Sequence, residues 1–398
     1  MNTVFHQAEA HINKHYEIFE NTVNHEFYIK SKNDKKNHFE KLNVDSLYIE
    51  IQKANIKLSI NNLGCLLTSG FTKKVNPIQE YFNSLQKWNT KSPDYIKGLM
   101  QYIKTVDNDW SYLMLKKWMV RAVKLALFDK GYNKQGLIFA SEGQNNGKST
   151  LCRFLCPQPL MEYRKDLLSD VEAKDTRIDL ARNFIINLDE LSVMNNQKAM
   201  RNLKALMSID YINERLPYRR DNSYLKRISS FVGSTDNFDF LKDSTGNVRW
   251  VCLELKNVED NIDWKNYSEK VNIDNLWSQA FYLANDKHFK DQMTPEEIRI
   301  NEEKNRKFIV TDGIEEIILG ELKPGNRADE FMTSTQILDY LRKLDGYYYD
   351  VLKNVKAETL GKRLSQLGFS KDSATISKNG NSYSVHGYYV KKLSKPIF

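Results

Sequence analysis

The run Gly143-Gln144-Asn145-Asn146-Gly147-Lys148-Ser149-Thr150 holds the residue types that cradle phosphate. Glycines let backbone N–H groups turn toward anionic oxygens, and a helix start adds the positive end of its dipole. Gly143, Asn145, Asn146, Gly147 and Thr150 would line such a loop. Lys148 would reach the β- and γ-phosphates of ATP, and Ser149 would ligate Mg²⁺. One departure stands out. G-x-x-x-x-G-K-S places its first glycine at position 142, which is Glu142 here; the glycine comes one residue later, at Gly143.

A second group lies 41 residues beyond Lys148, where the apolar run Phe184-Ile185-Ile186-Asn187-Leu188 ends in Asp189-Glu190. Adjacent acids at the end of a buried strand are costly unless a cation or solvent is near. Asp189 would hold the metal, and Glu190 would orient and deprotonate an attacking water. A third group, Gly233-Ser234-Thr235-Asp236-Asn237, again follows an apolar run. Asp236 or Asn237 would sense the γ-phosphate, the alternative being an ordinary turn with an Asx cap. In a fourth, Thr245-Gly246-Asn247-Val248-Arg249, the arginine would serve a neighbouring subunit's nucleotide or simply sit on a hairpin surface. Between the acids and the sensor run, Arg215 to Arg227 carries five basic residues in thirteen with Tyr218 and Tyr224 interleaved. Arg219, Arg220, Lys226 and Arg227 suit phosphate contact and the tyrosines suit base stacking, against a plain solvated hairpin.

These groups need a scaffold that brings strand ends together. From Gly136 onward short apolar runs alternate with helical patterns: Leu137–Ala140, Phe184–Leu188, Ile228–Gly233 and Arg249–Leu255 as strands, with helices over Ser149–Leu155 and Gln197–Met207. That alternation implies a mostly parallel sheet covered by helices. Upstream, Asn76-Pro77-Ile78-Gln79 is a helix start, and helical spacing continues over Tyr95–Ile103 and Tyr112–Phe128, with the aromatic residues read as core. The first 40 or so residues read as polar helix. Leu47, Ile49, Ile51 and then Ile56, Leu58, Ile60 alternate with period two, which predicts two short strands. Asn275–Phe289 and Pro295–Phe308 read as helices, and Lys323-Pro324-Gly325-Asn326 as a linker. Beyond it, helices over Thr335–Leu344 and Glu358–Leu367 precede two strand-like runs around Asn379-Gly380-Asn381, the order of a winged helix.

The chain has 398 residues, 41% hydrophobic and 12% aromatic, enough for two or three cored domains and against global disorder. The expected division is 1–74 as an accessory region, 75–130 as a helical block, 131–258 as the phosphate-loop core, 259–322 as a helical lid or linker and 327–398 as the winged helix. No apolar run approaches the roughly 20 residues of a membrane span, and the N-terminus has no secretory pattern. Four cysteines without a C-x-x-C pair fit a reducing cytoplasm rather than a disulfide framework. His11 and His15 sit one helical turn apart but lack further ligands nearby, so a solvated helix face is expected. Net charge is +8, and residues 330–398 hold 11 basic against 6 acidic side chains. This C-terminal excess permits DNA contact through Lys362 and Arg363 on the second helix and Lys371 and Lys378 on the wing, the alternative being a packing module that only supports the rest of the assembly.

In order and spacing these motifs resemble the virulence-associated E family of mobile-element ATPases, similar to superfamily 3 helicases, a branch of the AAA+ proteins. The resemblance spans roughly Val75 to Phe308, from Asn76-Pro77, Tyr81-Phe82 and Trp88 through Gly147–Thr150, Lys174-Asp175, Ile186–Leu191 and Arg215–Tyr218 to Phe231–Thr235 and Thr245–Arg249. It implies an α/β fold, with a P-loop AAA+ three-layer core, a mostly helical N-terminal region and a C-terminal winged helix. It also implies an ATP-driven ring, often hexameric, acting on DNA in replication of a plasmid, phage or island, with nucleotide between subunits. Lys148, Ser149, Asp189 and Glu190 would take the roles argued above. The family's sensor asparagine falls on Asp236, with Asn237 next to it, and the first of its two arginines falls on Val248, leaving Arg249. The rival expectation is a nucleotide switch in a regulatory or defence complex without unwinding.

Overall fold

A computed structural model describes residues 3–33, 39–142, 146–166, 173–188, 197–214, 223–238, 240–241, 247–258, 261–309, 313–378 and 381–393. The chain divides into two compact units, one of residues 1–238 with 247–306 and one of residues 239–246 with 307–398.

At the centre of the first unit is a five-stranded sheet. Its strands are β1 (Gly136–Ala140), β2 (Arg164–Asp166), β3 (Ile185–Leu188), β4 (Ser230–Thr235) and β5 (Trp250–Glu254). They lie in the order β5-β1-β4-β3-β2, every neighbouring pair parallel. β1, β3 and β4 are buried along their whole length, as a parallel sheet covered on both faces requires, although β3 carries Asn187 and β4 has serines at both ends of its apolar centre. The short, polar β2 has no such signature, and nothing in its sequence sets it apart from a loop. Close packing shows at Gly233, where a Cβ would come within 2.6 Å of the Leu188 carbonyl oxygen on β3.

Helices Pro77–Ser84, Tyr95–Met100, Asn108–Leu127 and Ile273–Asn285 pack into one core with the sheet. Asn76 caps the first of these through the Gln79 amide at 3.1 Å, with Pro77 at its first turn. Phe82, Phe184 and Trp277 meet edge to face or tilted, their ring centres 5.0–5.9 Å apart. Two buried indole nitrogens find carbonyls: Trp118 donates to Phe231 at 3.0 Å and Trp277 to Leu155 at 2.9 Å.

The N-terminal segment departs from its sequence reading. Helix Val4–His15 is followed by strands, Tyr16–Asn21 antiparallel to Phe27–Ser31, with Glu40–Lys41 on one edge and Lys73–Val75 parallel on the other. Of the residues read as a strand pair, Leu47, Ile49 and Ile51 lie in helix Val44–Lys53, Ile56 and Leu58 in the connection that follows it, and Ile60 opens helix Ile60–Thr68. The cause is a coincidence of periods. Leu47 and Ile51 lie four apart, on one face of a helix, and both are buried, whereas Ile49 between them is 52% exposed. The Asn43 and Ser59 side chains cap the two helices. His11 Nε2 lies 3.1 Å from Glu50 Oε1 rather than on an open helix face.

In the second unit, helices Gly313–Glu321, Ser334–Leu344, Gly346–Leu352 and Ala357–Gln366 surround a core that includes Ile318, Ile337, Leu341, Leu352, Leu360 and Leu364. The strand Lys371–Lys378 pairs antiparallel with Asn381–Lys392, which also pairs with Leu322–Pro324 and Glu330–Met332. The expected linker is thus part of this unit: Lys323 opposes Lys391, and the Gly325 amide donates to Tyr389 at 2.9 Å. Among the described residues, no helix is long and apolar enough to cross a membrane.

Candidate functional site

The carboxyl ends of the middle strands form one rim, the usual place for a ligand in an open parallel sheet. β1 runs out at Ala140 into Ser141, whose amide donates to the Thr235 carbonyl of β4 at 3.1 Å. Helix Lys148–Phe154 begins just beyond, its cap Gly147 in the left-handed region at φ 83°. Only glycine takes that conformation without strain, so the turn itself demands the residue.

Lys148 is buried, 7% exposed. Its Nζ donates to the Ser141 hydroxyl at 2.8 Å and lies 3.4 Å from the Ser141 carbonyl, both neutral acceptors. Burial pushes its pKa below the ordinary lysine value, offset in part by the Asp236 carboxylate. Asn146 Nδ2 donates to the same Ser141 hydroxyl at 2.5 Å, while its buried Oδ1 has no partner among the described residues. Ser149 Oγ lies 3.3 Å from Ser234 Oγ near the end of β4. A buried ammonium, a left-handed glycine and a helix N-terminus on one rim fit an anionic phosphate. The expected loop residues therefore gather: Asn146, Gly147, Lys148 and Ser149 lie together, with Thr150 exposed on the helix. Gly143 and Asn145 lie outside the described residues.

Asp236 and Asn237 follow β4 on this rim and are both exposed. Thr235 Oγ1 accepts from the Asn237 amide at 3.1 Å, a local turn. β3 reaches the rim at Leu188; Asp189 and Glu190, next in sequence, lie outside the described residues. Asn187 on β3 donates to Asp166 Oδ1 at 3.0 Å, tying the ends of β2 and β3 together.

Arg249 stands at the other end of the sheet. It precedes β5, where Trp250 pairs with Gly136 at the start of β1 and Glu254 with Ala140 at its end. Its Nε donates to Ser208 Oγ at 3.2 Å. It and Lys148 therefore flank the sheet from opposite rims.

The basic stretch divides. Strands Tyr211–Glu214 and Ser223–Lys226 do form an antiparallel hairpin. Arg219 and Arg220 lie outside the described residues. Arg227 differs from the sequence expectation of a basic side chain offered to a ligand. It is 0% exposed, and donates to the carbonyls of Asn133 at 2.7 Å and Ser229 at 3.3 Å. Lys226 is half-buried and donates to the Phe128 carbonyl. Both charges serve the fold, because the hairpin's inner strand feeds directly into the buried β4.

In the second unit, Lys362 is exposed and paired with Glu358 at 3.0 Å, one helical turn away. Arg363 is turned inward to buried Glu315 at 3.0 Å. Lys371 is exposed opposite Tyr388, and Lys378 opposes Asn381 at the far end of the same strand pair. The site residue that sequence reasoning missed is Ser141. Its signal was a hydroxyl directly after an apolar strand and ahead of the glycine-rich loop.

The family model for the virulence-associated protein E-like domain matches residues 82–309, more than half of the chain. The chain belongs to that family. The matched span of this VapE-like protein contains the five-stranded sheet, Lys148 and Arg249. None of the curated proteins matches it by sequence. In fold it is similar to the apo structure of the NrS-1 C-terminal region (305–718), with a TM-score of 0.50 at 13% identity, over 98% of this chain and 100% of that one. An A-form apo structure of the same region gives 0.51 at 13% identity, over 96% and 98%.

Proposed function

We propose that this VapE-like chain is an ATP-dependent DNA motor of a mobile element, a replication helicase or initiator built as a ring. The observation that carries the reading is the sheet order β5-β1-β4-β3-β2 with buried Lys148 immediately after β1 and Ser149 against the tip of β4. That order separates the phosphate-loop strand from the acid-bearing strand by one strand, the layout of an AAA+ core of the superfamily 3 type. Lys148 neutralises charge on the β- and γ-phosphates, and Asp236 or Asn237 senses the γ-phosphate. Ser149 and Asp189 would hold Mg²⁺, which would supply further neutralisation of the phosphates. Glu190 orients and deprotonates the attacking water.

Arg249 completes the reading. Its place on the rim opposite its own chain's Lys148 site supports a role at the neighbour's. This makes an oligomer, expected to be hexameric, a requirement for turnover. In the second unit the helix Ala357–Gln366 and the strand pair ending at Lys392 have the order of a winged helix, with exposed Lys362 and Lys371 as the proposed contacts to DNA phosphates.

A second reading, a nucleotide switch without unwinding, is favoured by the inward use of Lys226, Arg227 and Arg363. ATP turnover of wild type and Glu190→Gln, with and without single-stranded DNA, decides. A motor hydrolyses faster with DNA and stops in the variant. Turnover indifferent to DNA leaves the switch.

A further inference from the structure

Tyr211 and Tyr224 lie diagonally across the hairpin, their rings stacked 4.7 Å apart at 10°. Tyr224 is 72% exposed and Tyr211 44%, although stacked aromatic rings ordinarily belong in a core. The opposite face of the same hairpin is anchored by buried Ile212 and Leu225. The tyrosine pair is therefore held rigidly by its strands while its outer ring face is open to solvent.

The surface beside it is basic. Lys226, directly opposite Tyr211 in the register, reaches the Phe128 carbonyl. Phe128 in turn lines a cleft of about 640 Å³ that also includes Lys130, Phe289, Lys287 and Lys290. These three lysines are exposed and have no hydrogen-bond or ion-pair partner among the described residues. Lys124, at the same cleft, is neutralised by Asp291 at 2.5 Å. A stacked aromatic platform, joined through Lys226 to Phe128 at the cleft, and a cleft whose lining carries Lys130, Lys287 and Lys290 beside Asp286 and Asp291 offer one surface for bases and one for phosphates.

We propose that Tyr211 and Tyr224, with Lys130, Lys287 and Lys290, form a track for single-stranded DNA. An unpaired base stacks on Tyr224, and the adjoining phosphates run into the lysine cleft. Because a duplex keeps its base faces stacked internally, the track discriminates in favour of single strands. This inference rests on the reading of the protein as one that acts on DNA, and it assigns the strand to this face.

The test is fluorescence anisotropy of the full chain with a labelled oligodeoxythymidine of about 16 nucleotides, over a salt series. Tyr224→Ala is expected to weaken binding roughly 10-fold, in the range for loss of one base stack. Tyr224→Phe is expected to keep it. Lys287→Ala with Lys290→Ala should flatten the log–log salt slope by about 0.7 per lysine removed. All these positions are exposed, so folding is not at stake. Wild-type binding with unchanged affinity and salt slope in every variant would overturn the track but leave the motor reading standing. Absence of wild-type binding and of DNA-stimulated turnover would overturn both. A change in assembly size for Tyr224→Ala by light scattering, with DNA affinity unaltered, would assign the tyrosines to a contact between copies and overturn the track as well.

Discussion

If Arg249 acts on the neighbouring subunit's nucleotide, two inactive variants must rescue one another. β5 and β1 are parallel with Trp250 opposite Gly136 and Glu254 opposite Ala140. At about 3.3 Å per residue, Arg249 lies about 20 Å along the strand direction from the level of Ser141, beyond the span of an arginine side chain. Arg249→Ala should therefore lower turnover by about 10³-fold or more, the usual worth of an arginine finger. Lys148→Ala should abolish it by removing the phosphate contact. In an equimolar mixture assembled at random, a site works when a chain with intact Lys148 faces a neighbour with intact Arg249. That occurs at about one quarter of interfaces, so turnover per chain should recover to about a quarter of wild type. The assay is steady-state phosphate release, with the variants mixed before assembly and the mixing ratio varied. The reasoning fails if Arg249→Ala alone turns over like wild type, or if the mixture is as inactive as its parents while its assembly is intact.

Other expectations follow from side chains whose environment departs from their type. Arg227→Ala should cost about 2–4 kcal/mol in denaturant unfolding, with DNA affinity unchanged below the unfolding transition, because its guanidinium is used inside the fold. Lys362→Ala should leave stability within about 0.5 kcal/mol yet lower the salt slope of DNA binding. Arg363→Ala, which strips the buried Glu315 of a cation, should cost about 1–3 kcal/mol. Burial alone would raise the Asp94 carboxyl, but the Tyr112 hydroxyl, the Lys97 amide, Gln279 and Lys116 pull it down to about 2. Its contribution is thus fully present above the unfolded carboxylate value and is lost as pH falls toward 2. Asp94→Asn should cost about 1–2 kcal/mol at neutral pH after allowance for partial exposure, with the difference from wild type shrinking in acid, as read by unfolding at a series of pH values.

The amino-acid order alone located four of the five strands of the central sheet. Runs such as Leu137–Ala140 and Phe184–Leu188 are apolar without alternation, which only a strand covered on both faces can satisfy. Gly147-Lys148-Ser149 marked the strand-to-helix turn on which the phosphate-loop proposal rests, because left-handed backbone and a free helix N-terminus are local properties. Where local and tertiary requirements diverged, the sequence misled. Leu47 and Ile51 satisfy both a strand and a helix period, and it was burial of one helix face against Ala8 and Leu63 that decided between them. Arg227 looks like any basic hairpin residue until β4 draws it into the interior. Likewise Arg363 reads as one more cation on an exposed helix, and only the placement of Glu315 turns it inward. Tertiary structure also set what no local pattern encodes: Arg249 on the rim opposite Lys148, and Tyr211 stacked on Tyr224. Strand order and register bring such residues together or hold them apart across long stretches of chain, and neither is written in a short-range pattern.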